Sequence, residues 1–161
     1  MTVSSGLMAE DPVVRGVVER ERIAEVIDTL FLATDARDWE RVQACFAPRV
    51  AFDMTSLAGG APAQLSPGDI TAGWDSGLRF LDSVHHQVGN LVIHCQAREA
   101  TASCYGLAYH YRRTSSGRNT RLFVGSYDFH LVLEEQWKID RFRFNLKFVD
   151  GNADLEKEPS V

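Results

Sequence analysis

Cysteine is scarce in this chain, and the three present, Cys45, Cys95 and Cys104, show no paired spacing. A disulfide framework is thereby excluded, and the thiols read as small buried apolar groups in a reducing, cytoplasmic setting. Long apolar runs are missing: none approaches the roughly 18 residues of a membrane helix. The opening Met1-Thr2-Val3-Ser4-Ser5-Gly6 lacks a basic stretch followed by an apolar one, so no secretory signal is expected. Positive charge is in deficit, with a formal net charge of −5. That argues against nucleic acid as a partner, because a general binder needs a basic surface to displace counterions. His-x-His, Cys-x-x-Cys and His-Glu-x-x-His spacings are absent, as are a nucleophile elbow, a phosphate loop and a dinucleotide fingerprint. Neither a metal nor a cofactor is expected.

What is present suits one globular domain: 161 residues, 45% of them hydrophobic and 24% charged. Residues 1–16 read as a flexible arm, 17–149 as the domain and 150–161 as a polar, acidic tail. Ile23, Val26, Ile27, Leu30, Phe31 and Thr34 recur at helical steps, and Asp35 extends the Ile27–Phe31 row by one turn. Asp38 can cap a second helix whose inward face is Trp39, Val42 and Phe46, with Pro48 as its stop. Val50 to Met54 alternates as a strand. Ser66-Pro67-Gly68-Asp69 opens a third helix with Ile70, Trp74, Leu78 and Leu81 as its stripe, weakened by Gly73 and Gly77. Four long strands follow, near 84–95, 100–113, 119–133 and 136–148, on connections short enough for hairpins. Helices first and hairpins after predict an α+β fold with the helices on one face of a curved sheet.

The stretch from His85 to His94 concentrates the polar residues that need a reason. Strand alternation puts His86 on one face with Val88, Asn90, Val92 and His94, and His85 on the other. Asp35, Asp53, His110, Tyr127, Asp128 and His130 are further polar residues on otherwise apolar faces. Any one of them alone is most simply a hydrogen-bonded or solvated side chain. Asp and His without a dedicated nucleophile is the equipment of proton transfer, since a carboxylate fixes the imidazole tautomer and supports its cation.

Four stretches taken in order carry a resemblance: Ala33-Thr34-Asp35-Ala36-Arg37-Asp38-Trp39, Cys45-Phe46-Ala47-Pro48, His86-Gln87-Val88-Gly89-Asn90 and Trp137-Lys138-Ile139-Asp140-Arg141. Over about residues 18–148 the chain resembles the SnoaL-like branch of the nuclear-transport-factor-like fold, and within it the scytalone dehydratases and hexachlorocyclohexane dehydrochlorinases. The resemblance implies a cone-shaped barrel made of a strongly bent, mixed, mostly antiparallel sheet on three N-terminal helices. It implies a base dyad of Asp35 and His86, with His110 as a second active-site histidine. The pocket is expected to draw on Phe31, Phe52, Met54, Trp74, Val88, Asn90, Tyr127 and Phe144. Where the dehydratases carry two tyrosines this chain has Thr34 and Met54, which disfavours scytalone itself as substrate. The implied activity is a lyase or isomerase acting on a small cyclic ketone-like or phenolic molecule; the alternatives are a non-catalytic ligand-binding or oligomerisation module and a small oxygenase subunit. Tyr105, Tyr109 and Tyr111, opposite the His110 face, point to a homodimer or homotrimer.

Overall fold

The computed structural model describes residues 11–159, so most of the expected arm lies outside the described residues. Helix α1 runs Pro12–Ala36, further back than the apolar periodicity suggests, because Asp11 accepts a hydrogen bond from the Val13 amide and Pro12 takes the first turn. It ends at Arg37, whose left-handed backbone (φ 55°) returns its amide to Ala33 and Thr34. Asp38 then caps α2, Trp39–Ala44.

Two boundaries depart from the periodicity. Phe46 is the first residue of strand β1 (Phe46–Asp53), not the last of the helix, and Pro48 lies inside that strand. The cause is tertiary. β1 pairs in parallel with the last strand, Phe46 opposite Ile139, and the pairing is irregular from Phe46 to Ala51, where a proline without an amide hydrogen is tolerated. Met54 has left the strand and precedes a short helix, α3 (Thr55–Ala58); β2 (Ala63–Leu65) then folds back on β1. Helix α4, Pro67–Leu78, has the capping box expected of Ser66 and Asp69.

The four long strands are β3 (Ser83–Gln96), β4 (Glu99–Tyr111), β5 (Thr120–Leu133) and β6 (Trp137–Gly151). The sheet has six strands in the order β2-β1-β6-β5-β4-β3, mixed through the parallel β1–β6 pair and open at both edges, so the cone is not a closed barrel. Its core packs Ile23, Ile27 and Leu30 of α1 against Leu131, Ile139 and Phe142, all fully or almost fully buried. A second apolar cluster joins Leu78, Leu81 and Val84 to Leu155. The C-terminal segment is therefore packed on the domain through Leu155. Leu155 is fully buried, and Arg112 donates to the carbonyls of Leu155 and Glu156.

Strand β3 contains the feature that re-sorts its side chains. Gly89 faces Tyr105 and Val92 faces Ser103, so one extra residue is inserted, and Asn90 there has φ 56°. The inward set is Val84, His86 and Val88 before the bulge and Leu91, Ile93 and Cys95 after it. Asn90, Val92 and His94 thus do not share the face of His86, contrary to simple alternation.

Candidate functional site

Asp35 stands on the last turn of α1, one turn beyond Phe31, and α1 packs across β3. The carboxylate meets His86 twice: Oδ2 accepts the His86 backbone amide at 2.8 Å, and Oδ1 lies 2.6 Å from the ring Nδ1. An ionised carboxylate only accepts, so Nδ1 carries the proton and Nε2 keeps its lone pair free. Phe31 stacks on the imidazole with ring centroids 5.4 Å apart. Both partners are largely enclosed, with side-chain exposures of 12% for His86 and 17% for Asp35. His85, pointing away, is 66% exposed, and its Nδ1 comes no closer to Asp35 than 3.9 Å.

His86 opens on a cavity of about 340 Å³ between α1, α4 and the concave face of the sheet. Its walls include Phe31, Met54, Trp74, Tyr127, Phe144 and His110. Three expected wall residues are elsewhere. Phe52 stacks on Phe142 at 5.2 Å, behind the wall; Val88 packs partly buried against the core; and Asn90 is exposed in the β3 bulge. Residues not anticipated take their places: Leu57 from α3, Phe123 and Arg121 from β5, and Phe142 from β6. Gly73 and Gly77 also line the cavity, one turn apart on α4, where the absence of side chains leaves room. That spacing was a legible signal. The position of Arg121 was not, because it depends on the β4–β5 register that sets it opposite His110.

Larger depressions lie elsewhere, and charged side chains line both. One, of about 610 Å³, is bordered by Arg22, Glu25, Arg41 and Glu135. Another, of about 390 Å³, lies on the outer face of the sheet and takes in His94, Asp128 and His130. There His130 pairs with Asp140 at 2.6 Å and Asp128 accepts from Asn145 at 2.7 Å. Asp53 is held by Thr55 and Arg143. The smaller, mostly apolar cavity is the one onto which the Asp35–His86 pair opens.

Burial governs the electrostatics of that cavity. The His110 imidazole is pushed down to about 3, first by burial, then by the Arg121 charge and by His86. It is neutral at ordinary pH, a hydrogen-bond donor rather than a cation. The Tyr127 phenol is pushed well above its usual range, again chiefly by burial, and stays protonated. Burial raises the Cys45 thiol to about 11 and Cys104 to about 12, so neither is a nucleophile. Among the described residues no three His, Cys, Asp or Glu side chains gather as a metal-binding group.

The sequence profile of the SnoaL-like domain matches residues 16–143. The chain belongs to the SnoaL-like family. Solved structures place this SnoaL-like chain among cone-shaped relatives of low identity, which share its fold. A protein from Kribbella flavida superposes with a TM-score of 0.83 at 19% identity, covering 88% of this chain and 99% of the other. A Novosphingobium aromaticivorans protein, a candidate scytalone dehydratase, gives 0.70 at 19%, covering 86% and 90%. A hexachlorocyclohexane dehydrochlorinase gives 0.70 at 11%, covering 85% and 90%. No curated protein matches the chain by sequence. Among the described residues no helix is long and apolar enough to cross a membrane.

Proposed function

We propose that this SnoaL-like protein is a cofactor-independent lyase or isomerase for a small cyclic ketone-like or phenolic molecule. The observation that supports it most is the 2.6 Å contact between Asp35 and His86 at the wall of an apolar cavity. Nε2 of His86 takes a proton from carbon next to a carbonyl, and the Asp35 carboxylate steadies the imidazolium that forms. In a dehydration the C–H electron pair becomes the new C=C bond as the C–O bond breaks. The imidazolium returns its proton to the departing hydroxyl, which leaves as water. In an isomerisation the proton goes back to a different carbon. His110, neutral, donates a hydrogen bond to the oxygen on which charge develops. Phe31, Met54, Trp74, Tyr127 and Phe144 enclose the ring of the substrate. The same reading takes the exposed tyrosine face as a contact between copies of the chain, in a homodimer or homotrimer.

The test is turnover of a panel of cyclic β-hydroxy ketones and related phenolic alcohols by wild type and two variants. His86→Ala should cost about 10²–10⁴-fold in rate with ligand affinity little changed. Asp35→Asn keeps the size but admits the wrong tautomer, and should lose most of the activity as well. A binding module behaves differently: His86→Ala would weaken affinity by about 0.5–1.5 kcal/mol, with no turnover to lose. A wild type that binds these compounds, converts none and exchanges none of their acidic C–H hydrogens with solvent refutes the enzyme.

A further inference from the structure

The dyad occupies one part of the cavity wall, and a different pair of side chains stands next to it. His86 lies opposite Ala108 across the β3–β4 ladder, so His110 is its diagonal neighbour on the same concave face, about 7–8 Å away between Cα atoms. His110 in turn lies directly opposite Arg121 across the β4–β5 ladder. Both residues line the cavity, and each carries a buried nitrogen with no hydrogen-bond partner: Nδ1 of His110 and Nε of Arg121. Two unsatisfied nitrogens on neighbouring residues of a mostly apolar cavity wall call for an explanation. A ligand oxygen seated between them supplies one.

The charge there is lopsided. Arg121 Nη1 pairs with Glu156 at 2.5 Å and donates to the Ala153 carbonyl at 3.1 Å. The Arg121 side chain is 11% exposed and that of Glu156 40%, so water screens the anion more than the cation. Among the lining residues His86 and the Tyr127 hydroxyl are also polar, but no second guanidinium or ammonium group is present. The Thr34 hydroxyl is spent on the Leu30 carbonyl at 2.7 Å, and Met54 is apolar.

We infer that Arg121 and His110 form a subsite for an anionic oxygen, and that the natural ligand is a small aromatic or alicyclic molecule whose acidic oxygen binds there as phenolate or enolate. This rests on the function proposed above, in which removal of a proton by His86 leaves charge on such an oxygen. The neutral state of His110 suits the role, because a neutral N–H beside a fixed guanidinium adds a donor without a second charge to bury.

Para-nitrophenol, whose phenol and phenolate differ in colour, and its methyl ether para-nitroanisole separate the subsite from general apolar affinity. Calorimetric titration at a pH where most free nitrophenol is neutral should show the wild type binding it more tightly than the ether, and with the phenolate spectrum. Arg121→Met should weaken nitrophenol by about tenfold or more and leave the ether unchanged. Arg121→Lys should keep the phenolate spectrum. Glu156→Gln loosens the C-terminal segment but spares the guanidinium, and should preserve the preference. A wild type with no preference for nitrophenol, whether it binds both compounds or neither, overturns the subsite. So does an Arg121→Met that weakens both compounds equally, which marks a residue that only anchors the C-terminal segment. The two readings fail separately. A phenolate preference that survives in His86→Ala, beside a wild type that converts nothing, refutes the proton transfer alone; turnover without the preference refutes the subsite alone.

Discussion

His110 shows how far one enclosed side chain can carry a consequence. Its imidazole resists protonation until about 3 in the folded chain, against an ordinary 6.5, because burial and the neighbouring Arg121 disfavour the cation. Below 6.5 the unfolded chain takes up a proton at this position and the folded chain does not. The unfolded state therefore binds more protons, and stability falls as pH falls. The contribution is intact above 6.5, is lost progressively down to about 3, and has a slope of at most about 1.4 kcal/mol per pH unit. His110→Leu removes the titrating group. Urea unfolding of both proteins across that interval should show the wild type losing ground to the variant as the solution is acidified. Parallel curves would mean that His110 titrates normally in the fold.

Among the elements, the β4–β5 hairpin shapes the cavity through what it omits. Gly106 and Gly125 face each other across the ladder. A Cβ on Gly106 would come within 2.1 Å of the Tyr127 ring, and one on Gly125 within 2.4 Å of the Asn145 carbonyl. The missing side chain at Gly106 lets Tyr127 lie over β4, where it packs on Phe31 at 4.8 Å and Phe144 at 4.9 Å. Gly106→Ala should push that ring aside, cost about 1–3 kcal/mol in thermal or urea unfolding, and weaken binding of any aromatic ligand. An alanine variant as stable as wild type would show that the ring relocates freely. The β3 bulge acts in the same way. It keeps His86 facing inward beside Asp35 and yet allows Ile93 to face the α1 core further along the same strand.

At the scale of the whole molecule, the outer face of the sheet is the surface left to explain. Tyr105 is 57% exposed, Phe148 55% and Val92 49%, with Lys147 seated 4.0 Å over the Tyr105 ring. Among the described residues the helices lie on the concave side, and exposed apolar groups gathered on one face favour association. Light scattering at micromolar concentration should give a dimer or trimer, and Phe148→Lys should lower the mass toward that of one chain. A wild-type particle of 18.0 kDa would refute the assembly.

Local chemistry in the chain determined the capped helices, the α+β order and the four long strands. Periods of 3.6 and 2, with Asp38 and Ser66 as caps, are written into neighbouring residues. The candidate dyad was legible from Asp35 ending an apolar row together with the family resemblance that pairs it with His86. What pairing across the sheet decides is invisible locally. Phe46 became a strand residue because β6 lies beside it, and Asn90 left the pocket because one inserted residue reversed the faces of β3. Leu155 is buried although its neighbours are polar, because it meets Leu78 and Val84 from distant parts of the chain. Arg121 reached the cavity only through the β4–β5 register, which carries a charge from a polar strand end to the side of His110. Contacts between residues far apart in sequence follow from which strands pair, and that is a property of the folded whole.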